Sequence, residues 1–439
     1  MNKLHAPTDT PQSTVRTQDA AYSYSVPARL PTTEDWAQAK ESLSKTISGM
    51  RKRDWIVQID LGDGTPLVVD CRSGTVKDGD KAAATPQCSL VMAPQTLSQI
   101  ISGEMNPRYG MIFQRISVMG SIKDATHFCD ALGNRSVVNR MGSSIQYPEP
   151  TTDIALAKSQ LRKFGYTIIK DALKPEHLLR LRRRVVEQAE AERAAGIAHL
   201  ESGEPGSPIQ PNQRVWNLPN KGKMFVDLLD HPLVDAFMPE FLGDYYLLAN
   251  HHANIAGPGG RPMYIHNDQI NIQPPVDFPV GMNLFWLLDD VHEANGGTRI
   301  LPGSHVPGIE PDNVFSIEGT IAAKAPAGSA LIFESRLWHG TGPNRTQGKR
   351  HAIITYFVRS WVRTYENATI SLRQDVLDTL TPRQKTMFGF RITAAQGSID
   401  GQGDHKEGTF IDREAKLIPE MRPITPLPED ICLPIRMLT

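Results

Sequence analysis

The sequence is poor in cysteine. It has four in 439 residues, Cys71, Cys88, Cys129 and Cys432, with no paired spacing. That excludes a disulfide framework as the organising device and suits free thiols in a reducing compartment. Long apolar runs are missing too: no stretch reaches the roughly 18 apolar residues of a membrane span, so no transmembrane helix is expected. Nor is there an excess of charge of either sign, since 47 Lys and Arg balance 48 Asp and Glu, for a net charge of −1 and a pI near 6.9. Nothing therefore points to nucleic acid or an anionic membrane surface as a partner. The N-terminus shows no basic segment followed by an apolar stretch, and the final "MLT" is not a peroxisomal address, so a cytoplasmic location is expected.

At 40% hydrophobic and 22% charged, the chain is long enough for two or three domains, each with its own core. Residues 1–35, rich in Thr, Ser, Pro, Gln and Ala, read as a mobile tail. A helical pattern begins at Thr33 with Asp35. "WIVQIDLGDGTPLVVDC" then gives two strands around Gly62-Asp63-Gly64, a hairpin signal. "APQTLSQIISGEM" places Leu97, Ile100 and Ile101 at helical spacing. "YGMIFQRISVMGSI" reads as a strand and "DATHFCDAL" as a helix, so residues 36–135 make a compact α+β unit. The order of a helix, the turn Gly103, Asn106 and Pro107, a strand ending at Gly120 and a last helix resembles the C-terminal half of the sterol carrier protein 2 family. That resemblance implies an apolar tunnel for lipids or other hydrophobic molecules, or else a copy turned to docking or assembly. The apolar residues serve a core in either case.

Residues 136–152, with Gly, Ser and Pro punctuation, read as a linker. A helix running into the strand Tyr166 to Ile169 opens the second module, residues 153–365. "KPEHLLRLRRRVVEQAEAERAAG" follows as an amphipathic helix whose Arg run is a solvated face. Beyond residue 240 come short strands separated by Gly and Pro: "YYLLANHHANI", "YIHNDQINI", "GMNLFWLLDDV", "GTRILPGSH", "SALIFES" and "HAIITYFVRSW". Many short strands with such turns argue for a sandwich or barrel of the jelly-roll class. Residues 366–439 are expected to pack on this module as a C-terminal extension.

Three places carry a His followed two positions later by an acid: His266/Asp268, His199/Glu201 and His405/Glu407. The last two sit in polar, Gly-rich stretches that read as loops. Only His266 and Asp268 fall in an alternating apolar segment, where positions i and i+2 share a face of a strand. A third ligand is available in His339, which follows the strand "SALIFES". A ferrous ion that must bind a cosubstrate and O2 wants two imidazoles and one carboxylate on one face, with the other positions open. The remote carboxylate of a 2-oxo acid needs a fixed, permanently charged fork, and Arg350, at the start of another strand, suits that task.

The combination of "HND", "NGGTRILPGSH" and "WHGTGPNRTQGKR", with the arginine 11 positions after His339, resembles the phytanoyl-CoA dioxygenase family of Fe(II)/2-oxoglutarate enzymes. That resemblance implies a double-stranded β-helix, the cupin-like jelly roll, with flanking helices. It makes His266, Asp268 and His339 the iron ligands and Arg350 the partner of the distal carboxylate of 2-oxoglutarate. By the same likeness Thr298 and Thr341 would hydrogen-bond the cosubstrate and Arg214 would add a further contact. Some relatives have Gln three positions before the first iron histidine, and here Met263 stands there instead. His251 and His252 are neighbours and must face opposite sides of a strand; neither they nor His305 is assigned to metal, and Asp289 and Asp290 are placed in a loop.

The expectation is an oxygenase that uses Fe(II), 2-oxoglutarate and O2, forming succinate and CO2 while hydroxylating a small hydrophobic substrate. Desaturation, epimerisation and ring rearrangement stay open, as does a homodimer. The alternative is a lipid-binding or scaffold protein with a vestigial iron site. Because every candidate site residue lies after residue 210, the second module is expected to be separable from the first.

Overall fold

Thr32 starts the first helix, α1 (Thr33–Gly49). Its side chain accepts the Asp35 N–H while Asp35 accepts the Thr32 N–H, a capping box that satisfies two end groups at once. The computed structural model describes residues 31–79, 85–141, 145–204, 207–272, 275–390 and 396–397. The expected tail therefore falls almost wholly outside the described residues, as do His405, Glu407 and most of the C-terminal extension. α1 lays Ala39, Leu43 and Ile47, four residues apart, against a five-stranded sheet. Its strands are β1 (Ile56–Asp60), β2 (Leu67–Asp70), β3 (Thr75–Asp78), β4 (Cys88–Met92) and β5 (Ile116–Gly120), in the order β3-β2-β1-β4-β5. β1 and β4 are parallel; the other pairs are antiparallel. Helices α2 (Pro94–Ile101), α3 (Pro107–Ile112) and α4 (Ile122–Leu132) complete the unit.

One expectation is corrected here. The apolar run from Tyr109 becomes a strand only at Ile116, because Pro107 to Ile112 are helical. Asn106 caps that helix by accepting the Arg108 N–H, and Pro107 occupies its first turn, so a strong local start signal overrides strand propensity.

The second module contains helices α5 (Ile154–Phe164), α6 (Pro175–Ala194), α7 (Lys223–Asp227) and α8 (Pro232–Leu242). Its strands are β6 (Tyr166–Ile169), β7 (His199–Glu201), β8 (Asn212–Val215), β9 (Leu247–Ala256), β10 (Gly281–Leu287), β11 (Thr298–Ile300), β12 (Ile321–Ala322), β13 (Ala330–Glu334), β14 (His339–Thr341) and β15 (Arg350–Val358). Seven of them form an antiparallel sheet, β6-β13-β10-β15-β9-β8-β7, and three form a smaller one, β12-β11-β14. His199 and Glu201, expected in a loop, lie on β7, paired with β8; a polar edge strand carries little apolar signal.

The central strands β10 and β15 are buried along their whole length, so both faces must be covered. Alternation decides which residue faces which way. Met282, Leu284, Trp286, Ile353 and Phe357 join a core with Leu161, Leu181, Val185 and Phe237 of the helices. Phe285, Leu287, Ala352 and Ile354 join Ile300 of the smaller sheet. The inner face thus also receives Asn283, Arg350 and Tyr356 by parity. Leu372, Leu377, Leu380 and Met387 sit in the helical core, so the described start of the C-terminal extension packs there. Among the described residues no helix is long and apolar enough to cross a membrane.

The two modules share a packed seam. Ile265, Leu301, Val314 and Trp338 belong to the core of the first module, with Met111, Phe128 and Leu132. Arg108 is fully buried at the seam. It makes two 2.9 Å bonds to Asp130, a 3.0 Å contact with Glu310, and a 2.6 Å bond to the Pro311 carbonyl. His127 and Asn139 both reach Asp312, at 2.8 and 2.7 Å. The linker is not a free spacer either, because Val138 exchanges backbone bonds with Gly308 and Glu310 at 2.8 and 3.0 Å.

Candidate active site

The two candidate ligand histidines are brought together by the backbone itself. Met263 donates to the Thr341 carbonyl at 2.9 Å, and His266 and His339 exchange both N–H to C=O bonds, at 2.9 and 2.7 Å. Residues paired this way present their side chains on the same face, and the two rings lie 4.5 Å apart. Glycine at 340 permits the approach, since a Cβ there would meet the Tyr264 carbonyl oxygen at 2.9 Å.

Each ring is then oriented by a carbonyl two residues earlier. His266 Nδ1 lies 3.2 Å from the Tyr264 oxygen and His339 Nδ1 2.9 Å from the Leu337 oxygen. With Nδ1–H donating, Nε2 is left as the free lone pair on both rings. Burial, with His339 beside it, pulls the His266 imidazole down to about 4, so it is neutral near pH 7.

Asp268 arrives differently from the expected continuous strand. The bridge to His339 is confined to His266. Beyond it the chain turns, with Ile270 N–H to Asn267 O and Ile272 N–H to Gln269 O, and Asp268 N–H is held by the Ser335 carbonyl at 2.8 Å. Its carboxylate oxygens stand 3.7 Å from His266 Nε2 and 3.8 Å from His339 Nε2. Asn283 Nδ2 donates to Asp268 Oδ2 at 2.6 Å, fixing the carboxylate. One ligand atom from each of the three residues falls within 4.8 Å of the others. Two imidazole nitrogens and one carboxylate, preoriented and converging, fit a first-row divalent ion with open coordination positions.

Next to this set lies a buried polar floor. Arg350 is 2% exposed, bonds the Gly296 carbonyl, and reaches the Asn254 carbonyl only at 3.5 Å. Its Nε has no partner, and neither have Asn254 Oδ1, Asn250 Oδ1 and His252 Nδ1. Among the described residues no carboxylate lies within ion-pair reach of Arg350. Burial, and then the charge of Arg214, lower its guanidinium to about 10. Thr341 faces Thr298 across the β11–β14 ladder, both are buried, and Thr341 Oγ1 accepts from Asn254 Nδ2 at 3.2 Å. Arg214 is nearby but already engaged: it bonds Glu201 at 2.8 Å and meets His252 Nε2 at 2.9 Å, with Met263 Sδ at 3.9 Å.

Sequence reasoning missed His252, Asn254 and Asn283. The first two pair in register with Ile354 and Ala352 on β15, which puts them on the same inner face as Arg350. Parity counted from Arg350 could have found them, but only with the strand register known. The plain readings stand for others. His251 points to the opposite face and meets Thr355 at 2.9 Å. His305 Nε2 binds the Arg162 carbonyl at 2.9 Å, close to Gly165, where a Cβ would collide with its ring and the φ is +79°. Asp289 accepts from the backbone and ring of His351, both at 2.7 Å.

Comparison with known proteins gives two family matches. Residues 161–352 match the phytanoyl-CoA dioxygenase (PhyH) family. The matched residues make up most of the second module. Residues 37–133 match the SCP-2 sterol transfer family, which covers the first module. Dioxygenase af480 of Aspergillus fumigatus is 32% identical over 190 residues, 41% of this chain and 60% of that protein. Dioxygenase trt7 of Aspergillus terreus is 25% identical over 263 residues, 56% of this chain and 88% of that protein. The Fe(II)/2-oxoglutarate-dependent dioxygenase nvfF of Aspergillus novofumigatus is 29% identical over 195 residues, 42% of this chain and 63% of that protein. The chain thus spans less than two thirds of the length of af480 and nvfF.

Proposed function

We propose that this PhyH protein is an Fe(II)- and 2-oxoglutarate-dependent dioxygenase that hydroxylates an unactivated C–H bond of a small hydrophobic molecule, on a double-stranded β-helix formed by its two facing sheets. The observation that carries the reading is Arg350. A permanently charged fork, 2% exposed and without a carboxylate partner among the described residues, beside a two-histidine, one-carboxylate set, asks for a small anion that also reaches the metal. A dicarboxylic 2-oxo acid is such a molecule.

Bound iron, with 2-oxoglutarate and O2, supplies the oxidation: the oxo acid loses CO2 to become succinate with one oxygen atom, and the other enters the C–H bond. The protein residues arrange this. His266 and His339 offer Nε2 because their Nδ1 protons are committed to carbonyls, and Asn283 holds Asp268 in place. Arg350 takes the distal carboxylate through paired N–H donors, while Thr298 and Thr341 offer hydroxyls beside it. Arg214, balanced by Glu201 and bonded to His252, whose ring stacks on Trp216, keeps the wall of the pocket in shape and contacts the cosubstrate less directly. The SCP-2 module supports an apolar substrate.

The test is metal-dependent turnover in the full chain. One Fe(II) or Co(II) should bind per chain, and the iron form should convert 2-oxoglutarate to succinate with O2. A chain that binds no metal and forms no succinate would overturn the assignment.

A further inference from the structure

The first module reaches the ligand set of the second through α3. The Tyr109 hydroxyl accepts from Asn267 Nδ2 at 2.9 Å, and Asn267, itself 4% exposed, lies between the ligands His266 and Asp268. The Tyr109 ring stacks on Trp338 with centroids 5.6 Å apart and planes at 28°. Trp338 directly precedes the third ligand, His339. On the other side of His266, the Ile265 N–H donates to the Val314 carbonyl at 2.6 Å, and both residues are packed into the core of the first module. Val314 in turn follows Glu310, Pro311 and Asp312, which Arg108, His127 and Asn139 hold.

These contacts fall where the second module has little regular structure. His266 has one bridge instead of a ladder, and Asp268 sits in a turn, so few backbone bonds of its own fix their positions. Metal affinity depends on how far ligands are held in place before the ion arrives. We propose that Tyr109 is a positioning residue for the iron ligands, its hydroxyl fixing the His266–Asp268 turn and its ring fixing Trp338 ahead of His339, so that the SCP-2 module completes the metal site from outside the barrel. Burial pushes the Tyr109 phenol up to about 12, so the hydroxyl stays neutral throughout the working range. The inference rests on the iron reading above and goes beyond it by giving the fused module a part in the site.

The test uses the full chain and anaerobic titration with Co(II), followed by its visible absorption. Tyr109→Leu removes the stack and the hydroxyl; Tyr109→Phe removes the hydroxyl alone and keeps the fold. Groups outside the ligand shell commonly contribute about 10–100-fold to metal affinity. We expect the Co(II) dissociation constant to rise about tenfold in Tyr109→Leu, the lower end of that range, and about threefold in Tyr109→Phe, below it, because Tyr109 acts through a neighbour of the ligands. Leu43→Ala, a core truncation on α1 in the same module, should lower stability and leave the Co(II) constant unchanged. Wild-type affinity in both Tyr109 variants, or an equal loss in Leu43→Ala, would overturn the proposal. His266→Ala separates the two layers: retained Co(II) binding there would sink the iron assignment, whereas lost binding there with unaffected Tyr109 variants would sink only the positioning role.

Discussion

Arg350→Met should make the protein more stable without 2-oxoglutarate and less stable with it. The first half follows from burial. Arg350 is 2% exposed, and its protein partners are two carbonyls, one of them at 3.5 Å. Its guanidinium is depressed to about 10, two to three decades below its usual range of about 12.5 or more, and at about 1.4 kcal/mol per decade this corresponds to roughly 3 kcal/mol against the charged form. A base whose folded value is depressed and which is still charged at pH 7 carries that penalty in the native state. Methionine removes the charge and keeps an unbranched stem, but leaves the Gly296 carbonyl unpaired at about 1–3 kcal/mol. The difference predicts a gain of about 0–2 kcal/mol in urea unfolding without cosubstrate.

With 2-oxoglutarate the sign reverses. Losing a charged fork opposite a buried carboxylate costs about 2–5 kcal/mol, so the KM measured by succinate release should rise about thirtyfold or more. Wild type in cosubstrate at about 100 times its dissociation constant gains about 2.7 kcal/mol, whereas a variant binding about thirtyfold more weakly gains only about 0.9 kcal/mol. Adding 2-oxoglutarate, with Co(II) in place of iron, should therefore shift wild type by about 2 kcal/mol more than the variant, enough to cancel or reverse the variant's lead. A variant that is less stable by more than about 2 kcal/mol without cosubstrate, or that 2-oxoglutarate still protects as it protects wild type, would refute the reasoning.

His339→Ala should lose Co(II) binding and succinate formation while its far-ultraviolet circular dichroism stays native, because the backbone bonds between residues 339 and 266 survive the loss of the ring; wild-type turnover would remove it from the ligand set. Deleting residues 1–135 exposes Ile265, Leu301, Val314 and Trp338, now 0–2% exposed. At about 1.5–3 kcal/mol for each large apolar side chain, the loss is comparable to the whole stability of a domain, so the fragment is expected in the insoluble fraction or as a loosely packed state by near-ultraviolet dichroism. At Asp289, burial works to raise the pKa, but the bonds from His351 and Arg182 hold it at about 2. A depressed carboxylate stabilises above its unfolded value and loses that contribution as pH falls through the folded one, so wild type should lose about 1–2 kcal/mol between pH ~4 and ~2 through this group; Asp289→Asn should lack that part of the acid slope in urea unfolding.

His266, Asp268, His339 and Arg350 were legible because each lies on or beside an apolar strand, and the spacing between His339 and Arg350 survives in the linear sequence. The strands β9, β10, β13 and β15 were legible for the same reason: their apolar runs are bounded by Gly and Pro. β7 was not, since His199, Leu200 and Glu201 form an edge strand whose polar residues are satisfied by β8 and by solvent. α3 was misread because the apolar run from Tyr109 outweighed the cap at Asn106. His252 and Asn254 acquire meaning only through the pairing of β9 with β15, which no single segment specifies. The seam was the least visible feature. Asn106 donates to Glu310 across 204 positions, and neither residue type at either place differs from an ordinary surface residue.

That seam changes what the fused module can be. A carrier that only delivered an apolar molecule could be tethered loosely, with an interface that slides. Here Arg108 is buried with Asp130 and Glu310, an arrangement that adds little net stability over apolar packing but is strongly unfavourable in any other register. Such a cluster fixes orientation more than it adds affinity. The same orientation places Tyr109 on Trp338 and Asn267, within one residue of all three proposed metal ligands. If the module also holds a hydrophobic substrate, that substrate is presented in a fixed direction toward the metal face, and substrate position and ligand geometry are set by one rigid contact. A change at the seam should then act on metal affinity and on the site of oxidation together, whereas a change in a freely tethered carrier would alter only the rate at which substrate arrives.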